Sequence, residues 1–133
     1  MSDHVSVLFA NDAFYAAFAS RDLAAMDDLW SQRASVTCLH PGWAPLVDRD
    51  TVMQSWRAIL ANPDSPSIDC LDASAHLLGN AAYVICYERL KQGFLAATNV
   101  FVREDDGWKM VHHQAGAVPP PAIESEAVRQ PIQ

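Results

Sequence analysis

The chain has 133 residues, half of them hydrophobic, with 9 basic against 16 acidic side chains and a formal charge of −7. This length predicts one domain with a real core, and the acidic balance, with basic residues scattered from Arg21 to Arg129, argues against nucleic acid or anionic lipid as a partner. No apolar run approaches the ~20 residues that span a bilayer, Met1-Ser2-Asp3-His4 does not read as a signal peptide, and Cys38, Cys70 and Cys86 form neither a zinc pair nor a disulfide frame, so a reduced cytoplasm is expected.

Residues 5–20 read as a helix, with Leu8, Phe14, Tyr15 and Phe18 at helical spacing. Asp22 is placed to cap a short second helix whose apolar stripe is Leu23, Met26, Leu29 and Trp30. Val36, Cys38 and His40 alternate with Thr37 and Leu39 as in a strand, which Pro41-Gly42 stops. A loop with Trp43 and Pro45 leads to Asp48, a second cap. The third helix carries Val52, Trp56, Ile59 and Leu60 and ends before Pro63.

The period then changes from helical to two. Ile68 to Leu78, Ala82 to Leu90, Phe94 to Arg103 and Trp108 to Ala115 read as strands, with turns at Gly79-Asn80, Gln92-Gly93 and Asp106-Gly107. Short turns between consecutive strands predict an antiparallel meander. Helices first and strands after predict an α+β fold, with three N-terminal helices on a curved, mostly antiparallel sheet and a cavity between the layers. Pro119-Pro120-Pro121 cannot join a ladder. The expected organisation is a single domain over 1–117 and a polar tail over 118–133.

Several strings carry a resemblance: Cys38-Leu39-His40-Pro41-Gly42, His76-Leu77-Leu78-Gly79, and Thr98-Asn99-Val100-Phe101 followed by Arg103, Gly107-Trp108 and Val111-His112-His113. In this order they resemble the nuclear transport factor 2-like superfamily in its SnoaL-like branch. They are also similar to the association (hub) domain of calcium/calmodulin-dependent kinase II. The resemblance covers residues 5–117 and implies a cone-shaped, cystatin-like fold. It also implies a pocket between sheet and helices, and homodimers through the outer sheet face. Relatives of this kind include isomerases, dehydratases and hydrolases as well as plain binding and assembly modules, so fold alone does not assign function. Of the pocket arginines of the hub domain, the first matches Arg89 here. The second falls on Asn99 and a third near Ala115, so a hub-like carboxylate clamp is incomplete.

Strand parity sorts the candidates. If Asn99 faces the pocket, so do Ala97 and Phe101. The family pattern puts Val111, His113 and Ala115 inward, and Trp108, Met110 and His112 on the dimer side. Tyr83, Ile85, Tyr87 and Arg89 share one face. A single bulge would invert any of these assignments.

His113 is the first candidate, as acid, base or hydrogen-bonding group near neutral pH, set against a histidine simply satisfied in a packed interior. Arg89 reads either as a buried cation awaiting an anion or as a strand-end residue paired with Glu88 or Glu104. Asn99 is placed to orient a carbonyl or hydroxyl. Trp43, Trp56, Tyr15, Tyr87 and Phe101 complete the expected ligand-binding set, with Trp43 as a lid. His40 reads as a solvated residue at the mouth. No inward carboxylate stands out, because the acids cluster at helix starts, in turns and in the tail. His112 and His113 cannot chelate from one face, so no metal is expected, and no cofactor motif is present. The composite expectation is a small-molecule binder taking a largely apolar ligand with one polar end. The alternatives are a small enzyme using His113, or a pure assembly module.

Overall fold

The computed structural model describes residues 2–105 and 107–122. Its elements in chain order are α1 (Asp3–Ala19), α2 (Leu23–Leu29), β1 (Thr37–Leu39), α3 (Arg49–Ala61), β2 (Asp69–Leu78), β3 (Ala81–Leu90), β4 (Gly93–Glu104) and β5 (Gly107–Val118). Each helix starts on a side-chain cap. Ser2 accepts from the backbone N–H of Val5, Asp22 from Ala25 and Asp48 from Thr51, satisfying donors that the first turn leaves unpaired.

The sheet order is β1-β5-β4-β3-β2. β2 to β5 form the expected meander, while β1 adds to the far edge in parallel with β5, pairing Thr37 with His112 and Cys38 with His113. β5 runs to Val118, one residue into the segment expected as tail. Most of that tail, 123–133, and Asp106 of the expected Asp106-Gly107 turn lie outside the described residues. The β2–β3 turn places Gly79 at φ +65°, where a side chain would be strained.

Two bulges decide which side chains face the helices. On β5, Val100 pairs with His112 but Phe101 pairs with Met110, leaving Val111 as an extra residue. Trp108 and Met110 therefore turn inward before the bulge, and His113 and Ala115 after it. This corrects the outward placement of Trp108 and Met110: a strict two-residue alternation cannot anticipate an inserted residue. On β2 the register shifts between Leu71 and Ser74, with Asp72 at φ +57°.

On β3 the expected face is overturned. Ala82, Val84, Cys86 and Glu88 are buried, which puts Tyr83, Ile85, Tyr87 and Arg89 on the opposite, outer side. Both sets look equally suited to burial, apart from a charge at the end of each, so hydrophobicity alone does not choose between them.

The core lies between this inner face and the helices, with Phe14, Met26, Trp30, Val52, Trp56, Phe101 and Met110 buried. Arg21, between α1 and α2, ties that corner to the end of α3. Its guanidinium donates to the carbonyls of Ile59 (3.3 Å), Asn62 (2.9 Å) and Ser65 (2.7 Å), closing the C-terminal end of α3 and the segment after it. Arg21 itself sits at φ +56°. Arg21→Asn tolerates that backbone conformation while losing the three bonds. It is expected to destabilise the fold by roughly 1–3 kcal/mol and to speed amide hydrogen exchange over residues 62–66, readable by denaturant melts and mass spectrometry.

Candidate functional site

A cavity of about 290 Å³ opens between α1, α3 and the sheet. Aromatic rings dominate its walls: Phe14, Tyr15, Phe18, Trp43 and Trp56, with His40, His113 and Glu88 as the titratable groups besides Tyr15. The rings pack edge to face. Phe14 and Trp56 have centroids 5.4 Å apart, and His40 lies 4.7 Å from both Trp43 and Trp56. Trp43, half exposed, stands at the mouth. It is held there by a tight turn in which its N–H donates to the His40 carbonyl, with Pro41 and Gly42 (φ +80°) at the two central positions.

Beneath the cavity runs a chain of buried polar groups. The Tyr15 hydroxyl donates to Glu88 Oε2 at 2.6 Å. Since the phenol has one proton, the Asn99 atom facing its oxygen at 3.2 Å is the amide nitrogen. The same nitrogen donates to Asn11 Oδ1 at 2.8 Å. Asn99 Oδ1 is thereby left to accept from His113 Nδ1 at 2.6 Å. The logic survives protonation of Glu88, because Tyr15 then has Cys86 Sγ at 3.2 Å as an alternative acceptor. The imidazole therefore carries its proton on Nδ1, and Nε2 keeps its lone pair. Neither His113 Nε2 nor Glu88 Oε1 has a hydrogen-bond partner among the described residues.

Burial sets the charge states. His113, 4% exposed, has its pKa lowered to about 3 by desolvation, with His40 and His112 adding to the effect. His40 is lowered to about 4 by burial alone. Its Nε2 lies 2.8 Å from Ser55 Oγ, which itself donates to the Val52 carbonyl, so His40 is the donor in that pair. Desolvation raises the Glu88 carboxyl above its ordinary range, partly offset by the Tyr15 hydrogen bond. The Tyr15 phenol is pushed up by burial and by Glu88 beside it.

Against the expected set, Tyr15, Trp43, Trp56 and His113 line the cavity. Asn99 lies just behind the wall and reaches it through His113 and Tyr15. Phe101 is core, fully buried away from the cavity. Tyr87 and Arg89 are not among the described residues that line the cavity. They lie on the outer face, where Arg89 pairs with Asp69 at 3.3 Å rather than with Glu88 or Glu104. His40 is buried instead of solvated. The main omission is Glu88, an inward carboxylate only 2% exposed. Its one signal was parity: it falls in phase with Ala82, Val84 and Cys86, a small apolar set that fits under a helix.

Among the described residues no cluster of His, Cys, Asp and Glu is arranged to hold a metal ion. What the site offers instead is a lone pair on His113 Nε2 and an oxygen on Glu88, joined through Tyr15 and Asn99 and surrounded by rings.

These charge states set opposite pH responses. Both histidines bind protons more weakly in the fold than in the unfolded chain. Their stabilising contribution is therefore complete above pH 6.5 and lost as pH falls toward about 4 and then 3. Glu88 binds its proton more tightly in the fold, so its contribution is present below the ordinary value of 4.5 and lost as pH rises. Glu88→Gln keeps an acceptor for Tyr15 but cannot ionise. The excess of its melting temperature over that of the native protein is expected to grow as pH rises above 4.5. Asn99→Ala strands the His113 N–H, Asn11 Oδ1 and the Tyr15 oxygen together, and a loss of roughly 2–4 kcal/mol in urea unfolding is expected.

Residues 7–120 match the family model of the SnoaL-like domain. A candidate dehydratase of the nuclear transport factor 2-like family from Streptomyces avermitilis is 33% identical, with 89% of this chain and 97% of that one covered and a TM-score of 0.80. A candidate calcium/calmodulin-dependent protein kinase type II association domain from Thiobacillus denitrificans is 34% identical, covering 82% and 92%, with a TM-score of 0.74. The F-box protein SKIP8 of Arabidopsis thaliana is 25% identical over 115 residues, which are 85% of this chain but only 50% of that protein, so the chain spans about half the length of this curated relative. On the extent of the family match and the two structures above 30% identity, the chain belongs to the SnoaL-like domain family of the nuclear transport factor 2-like superfamily.

Proposed function

We propose that the chain binds a small, largely apolar organic molecule in this cavity. His113 Nε2 and Glu88 Oε1 meet the polar end and the aromatic walls enclose the rest. The observation that carries this reading is a ring-lined hollow whose lining residues leave polar atoms without partners among the described residues: His113 Nε2, Glu88 Oε1 and the buried indole N–H of Trp56. Buried polar groups are normally satisfied, and ones left unpaired beside open space call for an occupant. The compartment proposed is the cytoplasm. The assembly proposed is a homodimer through the outer sheet face, where Ile85 is 40% exposed beside Tyr83 and Tyr87. Light scattering of the native protein against Ile85→Glu tests it, with a shift from dimer to monomer expected.

The binding reading is tested by thermal shift with a broad set of aromatic and alicyclic fragments. A ligand at about one hundred times its Kd stabilises by about 2.7 kcal/mol. Stabilisation of several degrees is expected with the native protein, and little with Trp56→Ala. If no fragment stabilises the native chain, or Trp56→Ala responds equally, the reading fails.

Acid–base catalysis is the second reading, favoured by one specific feature. The Glu88–Tyr15–Asn99–His113 chain joins a carboxyl raised toward its neutral form to an imidazole held with a bare Nε2. The similarity to a candidate dehydratase supports the same reading. On it, His113 or Glu88 would take a proton from a carbon beside a carbonyl or return one to a leaving hydroxyl. Its mark is exchange of ligand protons for solvent deuterium, followed by NMR. Exchange should occur with the native protein and fall at least about a hundredfold in His113→Gln while binding persists. Binding without exchange would leave a receptor, not a catalyst.

A further inference from the structure

Resting on the reading of the cavity as a ligand site, we propose that its occupant is a small organic cation, an ammonium group carried on an apolar body. Three features of the wall point the same way. Five aromatic side chains line it, and their electron-rich faces attract a cation whose hydration shell has been stripped. Its fixed charge is of one sign among the described residues: Glu88 supplies a carboxyl, and no described lysine or arginine lines it. The two histidines do not supply a compensating positive charge, since burial keeps both neutral at physiological pH.

Glu88 strengthens the case by its own bonding. Its Oε2 is held by Tyr15 and its Oε1 has no partner among the described residues, so the carboxyl is oriented without a countercharge among them. The nearest cation in sequence, Arg89, lies on the opposite side of the sheet against Asp69. A carboxylate ligand would bring a second negative charge to a desolvated acid with no cation between them, which is strongly unfavourable. A neutral ligand would leave the acid as it stands, biased toward its protonated form by burial. An ammonium group against Oε1 restores the carboxylate and supplies the absent countercharge, while the rings of Trp43, Trp56, Phe14 and Phe18 pack its alkyl arms. The same arrangement separates this cavity from one built on pocket arginines, which would select carboxylates.

The test is a charge series of near-constant shape on the full chain, read by calorimetry or by chemical-shift titration. The probes are benzyltrimethylammonium, its neutral isostere neopentylbenzene, and phenylacetate. The cation is expected to bind at least about tenfold tighter than the isostere, with no measurable binding of phenylacetate. Glu88→Gln, which preserves the acceptor for Tyr15, is expected to abolish the preference for the cation over the isostere. The series on the native protein decides the matter even if that variant does not fold. Equal or tighter binding of the isostere or of phenylacetate overturns the cation assignment but leaves the cavity as a ligand site. A tenfold preference that survives Glu88→Gln also overturns it. Binding of none of the three overturns the assignment, while the fragment screen separately judges the cavity itself.

Discussion

The hydrogen bonds of Asn99 are the constraint on which the rest of the structure turns. Its amide is fully buried on β4 and binds two residues of α1, Asn11 and Tyr15, on one side and His113 of β5 on the other. A buried amide that lost these partners would be costly in a low-dielectric interior. The first helix is therefore fixed in register over the sheet, not merely pressed against it by apolar contact. Because the Tyr15 hydroxyl donates its hydrogen bond to Glu88, the same junction fixes the tautomer of an imidazole two strands away from the carboxylate. Docking and electrostatics are thus one arrangement.

The hollow exists because the surrounding elements are held apart. Arg21 pins the end of α3 and the residues after it, and Ser65 and Pro66 of that segment form part of the wall. The bulges at Asp72 and Val111 interrupt the ladders on the second and fifth strands, and such insertions sharpen local twist and bend a sheet. The bulge on β5 has a second effect. It lets Trp108 and Met110 fill the core at one end while His113 still faces the cavity at the other. One strand thereby serves packing and site together.

The fold itself does not separate a receptor from a catalyst, and this chain is similar both to a candidate dehydratase and to a candidate kinase association domain. The distinction lies in the side chains around the hollow. Among the described residues, a wall without arginine, a carboxyl without a countercharge and a neutral imidazole with a bare nitrogen favour recognition through aromatic faces and one acidic group. They also contain the parts of a proton-transfer site. Which of these is realised depends on whether the occupant presents an acidic carbon or hydroxyl to His113 Nε2 and Glu88 Oε1.

Much of the architecture was legible in the residues alone. Asp22 and Asp48 announced their helices, the glycine-bearing turns marked the hairpins, and the change of period after Pro66 separated helices from strands, because these signals are local. Trp43, Trp56, Tyr15 and His113 were legible as candidates from their places on the loop, helices and last strand, although the same residue types also serve as core, as Phe101 and Trp30 do. The faces were not. A period of two is unchanged when a strand is turned over, so Tyr87 and Arg89 looked as inward as Glu88, and the bias against burying a charged residue pointed no better at one than the other. Trp108 and Met110 were misplaced for a related reason: the extra residue at Val111 leaves no mark in composition. Only the packed sheet could select the face of β3 and the position of the bulge. Those choices minimise the summed free energy of many distant contacts, among them the Tyr15 hydroxyl waiting on α1 for a buried acceptor.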